Sequence, residues 1–149
     1  MSETDVLAES VVLLDLKAGV EEEVIRELVR AVAGRAEVTD AVALEHAVLE
    51  RQKVQPPLLG HGIALPHART NAVSGMVMAI GRCRKAVVFG PEEVPVEWVF
   101  LFGMPGNAIS EYLAVVSKLT RLVRQAGVRE ALDGAENEQA VRRILMGTP

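Results

Sequence analysis

Cysteine is all but missing from this 149-residue chain: Cys83 stands alone. One cysteine cannot make a disulfide framework, so a reducing, cytoplasmic setting is expected. No apolar run approaches the roughly 18 residues that a membrane-spanning helix needs, so no membrane insertion is expected. The opening Met1-Ser2-Glu3-Thr4-Asp5 is acidic and has no apolar core, so a signal peptide is not expected either. An excess of positive charge is also lacking: 16 Lys and Arg stand against 20 Asp and Glu, for a formal charge of −4. Nucleic acid calls for a basic patch and is therefore not an expected partner. A basic protein surface is a compatible one. No repeat, low-complexity segment or linker divides the chain, and residues 1–149 are expected as one domain. Half of the residues are hydrophobic, which suffices for a core.

Residues 1–8 read as a short acidic lead-in, a candidate for disorder. Val11 to Leu16 is an apolar run suited to a strand or an extended edge segment. From Val20 the pattern turns helical, with Val24, Ile25, Leu28 and Val32 at three- and four-residue spacing and Glu21, Glu22 and Glu23 in the first turn, where the helix dipole favours them. Gly34 is expected to end this helix. Thr39 suits an N-cap for the next one. There Leu44, Val48 and Arg51 fall on one stripe, which puts Arg51 on the inward face at the helix C-terminus. Gln55-Pro56-Pro57 breaks that helix. Short strands are expected at Ile63–Leu65, from Gly75 to Cys83 and at Val87–Phe89. The strongest strand signal is Val96 to Phe102, rich in branched and aromatic residues. A Gly/Pro/Asn loop over 103–107 leads into a long helix with Ile109, Tyr112, Leu113, Val116, Leu119 and Val123 as its apolar stripe. A short segment at Val128–Leu132 and a last helix over Glu138–Met146 follow. Helices before and after a run of strands suggest an α/β sandwich with helices on both faces of a sheet.

The chain's most distinctive stretch is Gly60-His61-Gly62-Ile63-Ala64-Leu65-Pro66-His67-Ala68-Arg69. It sets a histidine at the mouth of a short apolar strand with a proline in front. A histidine accepts a phosphoryl group on one ring nitrogen if that nitrogen is unprotonated and the other is held by an acceptor. The group in flight is negative, so catalysis is mostly positioning and charge stabilisation. Arg51 and Arg69 are candidate cations, and Gly60 and Gly62 let backbone approach a phosphate closely. Each has a plainer reading: a strand-capping His67, a dipole-matching Arg51, a solvated His61 and Arg69, a core Tyr112. Metal binding by His61 and His67 lacks a partner carboxylate or thiolate at suitable spacing, so no metal and no cofactor are expected.

Leu49-Glu50-Arg51 followed by the Gly-His-Gly-Ile-Ala-Leu-Pro-His-Ala-Arg run resembles the active-site region of the fructose/mannitol-type IIA domains of the bacterial phosphoenolpyruvate-dependent phosphotransferase system, whose nitrogen-regulatory branch shares the pattern. Val94 to Phe100, the loop after it and the Leu-rich helix resemble that family's later strand and helix. The resemblance implies an α/β domain, phosphotransferase/anion-transport-like, with a mixed central sheet of about five strands and helices on both faces. It implies phosphorylation at His67 by a histidine phosphocarrier (HPr-like) protein, and a IIB domain or a regulatory protein as the next partner. Three places depart from the family's pattern. Pro56 and Pro57 stand where it usually has Ser-Thr, and Gln52 stands where its arginine is followed by glutamate. Tyr112 stands where a second histidine usually lies beside the reactive one. His61, six residues from His67, is a candidate for the missing imidazole. Three uses are compatible with this reading: a phosphoryl carrier, a regulatory module gated by the state of His67, and a binding scaffold that is not phosphorylated.

Overall fold

The computed structural model describes residues 3–54 and 56–147. Its centre is a mixed sheet with helices on both faces, as the resemblance implied, with six strands where about five were expected. The backbone of that sheet is a long antiparallel hairpin, β5 (Val77–Phe89) and β6 (Val94–Met104). β1 (Val11–Leu16) runs parallel to β5 at one side. On the other side β3 (Ile63–Ala64) and β4 (His67–Arg69) both run parallel to β6, and β2 (Leu58–Gly60) pairs antiparallel with β3.

Alternation along the strands sorts the core into two layers. Met78, Ile80, Trp98, Phe100 and Phe102 face α1 (Glu3–Ala8), α4 (Ile109–Val123), α5 (Val128–Asp133) and α6 (Glu138–Met146). Val77, Ala79, Val99 and Leu101 face α2 (Glu21–Val32) and α3 (Ala41–Val54). Cys83 lies in this second layer, and burial pushes its thiol up to about 11, with the charges of Glu97 and Glu27 adding to the effect. It is protonated at neutral pH and serves as a small apolar side chain.

Several elements depart from the sequence reading. The lead-in is not featureless. Glu3–Ala8 form a helix whose Val6 and Leu7 are buried against α4 and α6. The two segments 75–83 and 87–89 are one strand, because the register slips between Arg82 and Val87 and the extra residues bulge without ending the pairing. β2 and β4 were too short to carry a period of their own. Asp40, not Thr39, caps α3: its carboxylate accepts the Ala43 N–H at 3.0 Å, while the Thr39 hydroxyl donates to the Ala72 carbonyl at 2.8 Å. The inward stripe of α3 runs Leu44, Val48, Gln52, and Arg51 lies beside it, exposed. On α4 the buried stripe is Tyr112, Val115, Leu119 and Val123, leaving Leu113 58% exposed. Of the expected Gln55-Pro56-Pro57 break, Gln55 lies outside the described residues.

Candidate functional site

β3 and β4 are two short strands laid end to end along β6, joined by Leu65-Pro66. Leu65 N–H donates to the Pro57 carbonyl at 2.8 Å, and the Pro66 carbonyl accepts from Phe102 N–H at 2.9 Å. The chain therefore stays extended through the proline, and His67 becomes the first residue of β4, opposite Phe102. Among the described residues β4 pairs only with β6, so it is an edge strand. That position lets a helix from each layer reach it. A cleft of about 320 Å³ opens there. Ala47 and Arg51 of α3 form one wall, Ile109 and Tyr112 of α4 the other, and His67, Ala68 and Arg69 lie between them, with Met104 beside them.

Within the cleft the histidine is half-buried and its ring is oriented. His67 Nδ1 lies 2.9 Å from the Leu65 carbonyl oxygen, two residues back in the chain. A carbonyl can only accept, so Nδ1 carries the proton, and Nε2 is left with its lone pair. The ring lies against Tyr112, centroids 5.1 Å apart and planes at 31°, and Tyr112 in turn meets Phe102 edge-on at 5.4 Å. Burial holds the His67 pKa below its ordinary 6.5. The Leu65 hydrogen bond works against that shift, and the charge of Arg51 adds to it. Burial pushes the Tyr112 hydroxyl up to about 12, with Arg51 opposing, so it is neutral at physiological pH.

The sign of the His67 shift makes a prediction. A histidine with a depressed folded pKa favours its neutral form in the native state. Its contribution to stability is present above pH 6.5 and declines as pH falls towards the lower folded value. NMR titration should place the His67 midpoint below 6.5, and Arg51→Ala should move it up. A midpoint above 6.5 contradicts the geometry just described.

The structure brings together His67, Arg51, Arg69 and Tyr112. It does not bring His61, Gly60 or Gly62 to the cleft. Gly60 ends β2, and His61 and Gly62 form the turn into β3; all three have left-handed backbone, with φ 90° at Gly60, 56° at His61 and 75° at Gly62. Ile63 pairs with Trp98 and His67 with Phe102. Four strand residues separate those levels of β6, roughly 13 Å. His61 therefore does not stand in for a second imidazole. Its carbonyl accepts from Arg129 of α5, which also pairs with Glu97 at 3.0 Å and Asp133 at 3.4 Å. That clamp, and the Leu65 carbonyl, were not visible in the sequence. A main-chain acceptor has no side-chain signature, and Arg129 is 68 residues from His61. Among the described residues no group of three or more His, Cys, Asp or Glu is placed to hold a metal ion. None of the described helices is long and apolar enough to cross a membrane.

Comparison with known proteins identifies the family and the fold. The family described as "Phosphoenolpyruvate-dependent sugar phosphotransferase system, EIIA 2" matches residues 5–147. A fructose-specific EIIA component from Haloferax volcanii is 35% identical over 114 residues, covering 76% of this chain and 73% of that protein. A fructose-specific EIIABC component from Bacillus subtilis is 29% identical over 97% of this chain, which spans only 23% of that longer protein. Among solved structures, the nitrogen regulatory protein IIA-Ntr from Neisseria meningitidis superposes with a TM-score of 0.83 at 29% identity, covering 95% of this chain and 97% of that one. The IIA-mannitol protein of Escherichia coli, solved in complex with phosphorylated IIB-mannitol, superposes with a TM-score of 0.78 at 26% identity, covering 91% and 94%. With the family matched over nearly its whole length and the fold shared with solved IIA proteins, the chain belongs to the EIIA type 2 family of the phosphoenolpyruvate-dependent sugar phosphotransferase system.

Proposed function

We propose that His67 Nε2 accepts a phosphoryl group from the phosphohistidine of an HPr-like carrier protein in the cytoplasm, and passes it to a IIB-type domain or holds it as a signal. The observation that carries this reading is the Nδ1–H to Leu65 carbonyl hydrogen bond, which leaves Nε2 bare in a cleft that Arg51 and Arg69 also line. The donor's N–P bond breaks as the Nε2–P bond forms. The electron pair of the broken bond stays with the donor imidazole, and Nε2 supplies its own lone pair. No proton has to move. The His67 ring gains positive character as the bond forms, and the Leu65 carbonyl, already accepting from Nδ1, stabilises it. Arg51 and Arg69 offset the charge on the phosphoryl oxygens. Tyr112 supplies a neutral hydroxyl donor where relatives of the same pattern usually place an imidazole.

Incubation with phosphoenolpyruvate, enzyme I and a cognate carrier should add one acid-labile phosphoryl group per chain. Nitrogen-edited NMR should assign it to Nε2. No labelling from any cognate carrier, or attachment at Nδ1, overturns the reading. Regulatory use of the same site is favoured by the overlay on IIA-Ntr. It would show as a partner protein retained by only one of the two phosphorylation states.

A further inference from the structure

Pro66 sits where a strand has reason to avoid a proline. Along this run the Gly62 carbonyl accepts from Trp98 N–H at 3.1 Å, the Pro66 carbonyl accepts from Phe102 N–H at 2.9 Å, and Thr70 N–H donates to the Met104 carbonyl at 2.8 Å. Residues 62, 66 and 70 therefore face β6, and period-two alternation turns Leu65 and His67 the other way. In keeping with that, Leu65 N–H donates away from β6, to the Pro57 carbonyl at 2.8 Å. A residue in a strand directs its N–H and its carbonyl to the same side. The nitrogen of Pro66 thus faces the sheet and not solvent, and one bond to β6 is given up at a buried position. The ladder parts there into β3 and β4, although the register is the same on either side: Ile63 lies opposite Trp98 and, four residues on along both strands, His67 lies opposite Phe102.

What the proline contributes in return is an aimed carbonyl. Its ring fixes φ near −65°, where a parallel strand would have about −120°. It also confines Leu65 to extended backbone. The difference in φ rotates the Leu65 carbonyl by roughly 55° relative to the residues that follow it. That carbonyl is the one 2.9 Å from His67 Nδ1. We propose that Pro66 is a positioning residue: it points the Leu65 carbonyl at His67 Nδ1 and so decides that Nε2 is the nitrogen that reacts. The proposal rests on the reading of Nε2 as the phosphoryl acceptor and adds what selects it. Another residue at 66 would relax φ towards the ordinary strand value, recover an N–H for β6 and draw the Leu65 carbonyl off the ring. His67 would then be free to carry its proton on either nitrogen.

Multiple-bond proton–nitrogen correlation spectra of the full unphosphorylated chain, recorded above the His67 midpoint, read the tautomer directly. Wild type should show His67 protonated at Nδ1. Pro66→Ala should raise the ratio of the Nε2–H form to the Nδ1–H form about fivefold, the weight of one net hydrogen bond. Transfer from a phosphorylated HPr-like carrier should slow by a similar factor, while the carrier concentration giving half the maximal rate stays the same. A merely structural role for Pro66 would not move the tautomer. Pro66→Val puts a strand-favouring side chain at the same place and repeats the test with β4 held, should alanine loosen it. An unchanged tautomer in both variants overturns the proposal, whatever their phosphorylation. A wild type that takes no phosphate, beside variants whose tautomer does shift, overturns the carrier reading and leaves the hold of Pro66 on the ring standing.

Discussion

In His67→Ala, phosphoryl transfer to the chain should fall below detection, and in Arg51→Ala it should slow by about a hundredfold. The first follows from the absence of another imidazole in the cleft. His61 is exposed in the turn before β3 and does not line the cleft, and His46 is exposed on α3 and does not line it either. Both should remain unlabelled. The second follows from charge. Arg51 is close enough to affect the ionisation of both His67 and Tyr112, so its guanidinium field covers the space where phosphoryl oxygens would sit. Arg51→Lys keeps the charge but loses the planar fork, and should fall between wild type and alanine. Arg69 is on the same edge strand and exposed, so Arg69→Ala should cost less, since water screens it more. Quench-flow measurement of labelled phosphate passing from the carrier would rank the four variants. Equal rates in Arg51→Ala and wild type would remove Arg51 from the mechanism and leave Arg69 and the backbone around His67 to do the stabilising.

What could be read in advance divides by physical cause. The last helix, Glu138–Met146, was legible to the residue because its ends carry local signals: Asn137 accepts the Ala140 N–H, and Gly147 takes the left-handed C-terminal turn. β6 was legible because it is long, branched and aromatic. α1 was not, because six residues cannot show a helical period, and its stability comes from the burial of Val6 and Leu7 by elements more than a hundred residues away. Arg51 was placed on the wrong side of a real stripe, since positions 51 and 52 both follow Val48 by about one turn, and only packing chooses between them. Gln52 went inward because Glu21 waits there to accept its amide. In the site itself, the Ile-Ala-Leu-Pro-His run pointed to the histidine of the cleft and the late helix to Tyr112. The tautomer was out of reach, because it is set by a carbonyl.

Trp98→Ala should destabilise the fold by about 3–5 kcal/mol, a large part of the roughly 5–15 kcal/mol a domain of this kind holds. Trp98 is fully buried and sits under Arg82, whose guanidinium lies 5.8 Å from the ring centroid while donating to the carbonyls of Leu14 and Ala135. Its indole N–H donates to Asp133 at 2.8 Å, and Asp133 and Glu97 both pair with Arg129, which grips the turn at His61. Truncation thus opens a void and unpins α5 from the sheet. Trp98→Phe retains most of the apolar contact and gives up the hydrogen bond, whose acceptor is half-exposed and can turn to water, so about 1 kcal/mol is expected. Urea unfolding followed by far-ultraviolet circular dichroism would separate the two, since Trp98 is the chain's one tryptophan and its fluorescence is lost in both. Phosphorylation of His67 by the carrier should persist in whatever fraction of Trp98→Ala remains folded. Strand β6 does two jobs at two levels: at Trp98 it holds the α5 layer, and at Phe102 it pairs with His67 and packs edge-on against Tyr112 of α4. A loss of labelling in folded Trp98→Ala would show that the two levels are coupled through the strand. Retention would show that the sheet keeps its chemistry apart from its anchorage.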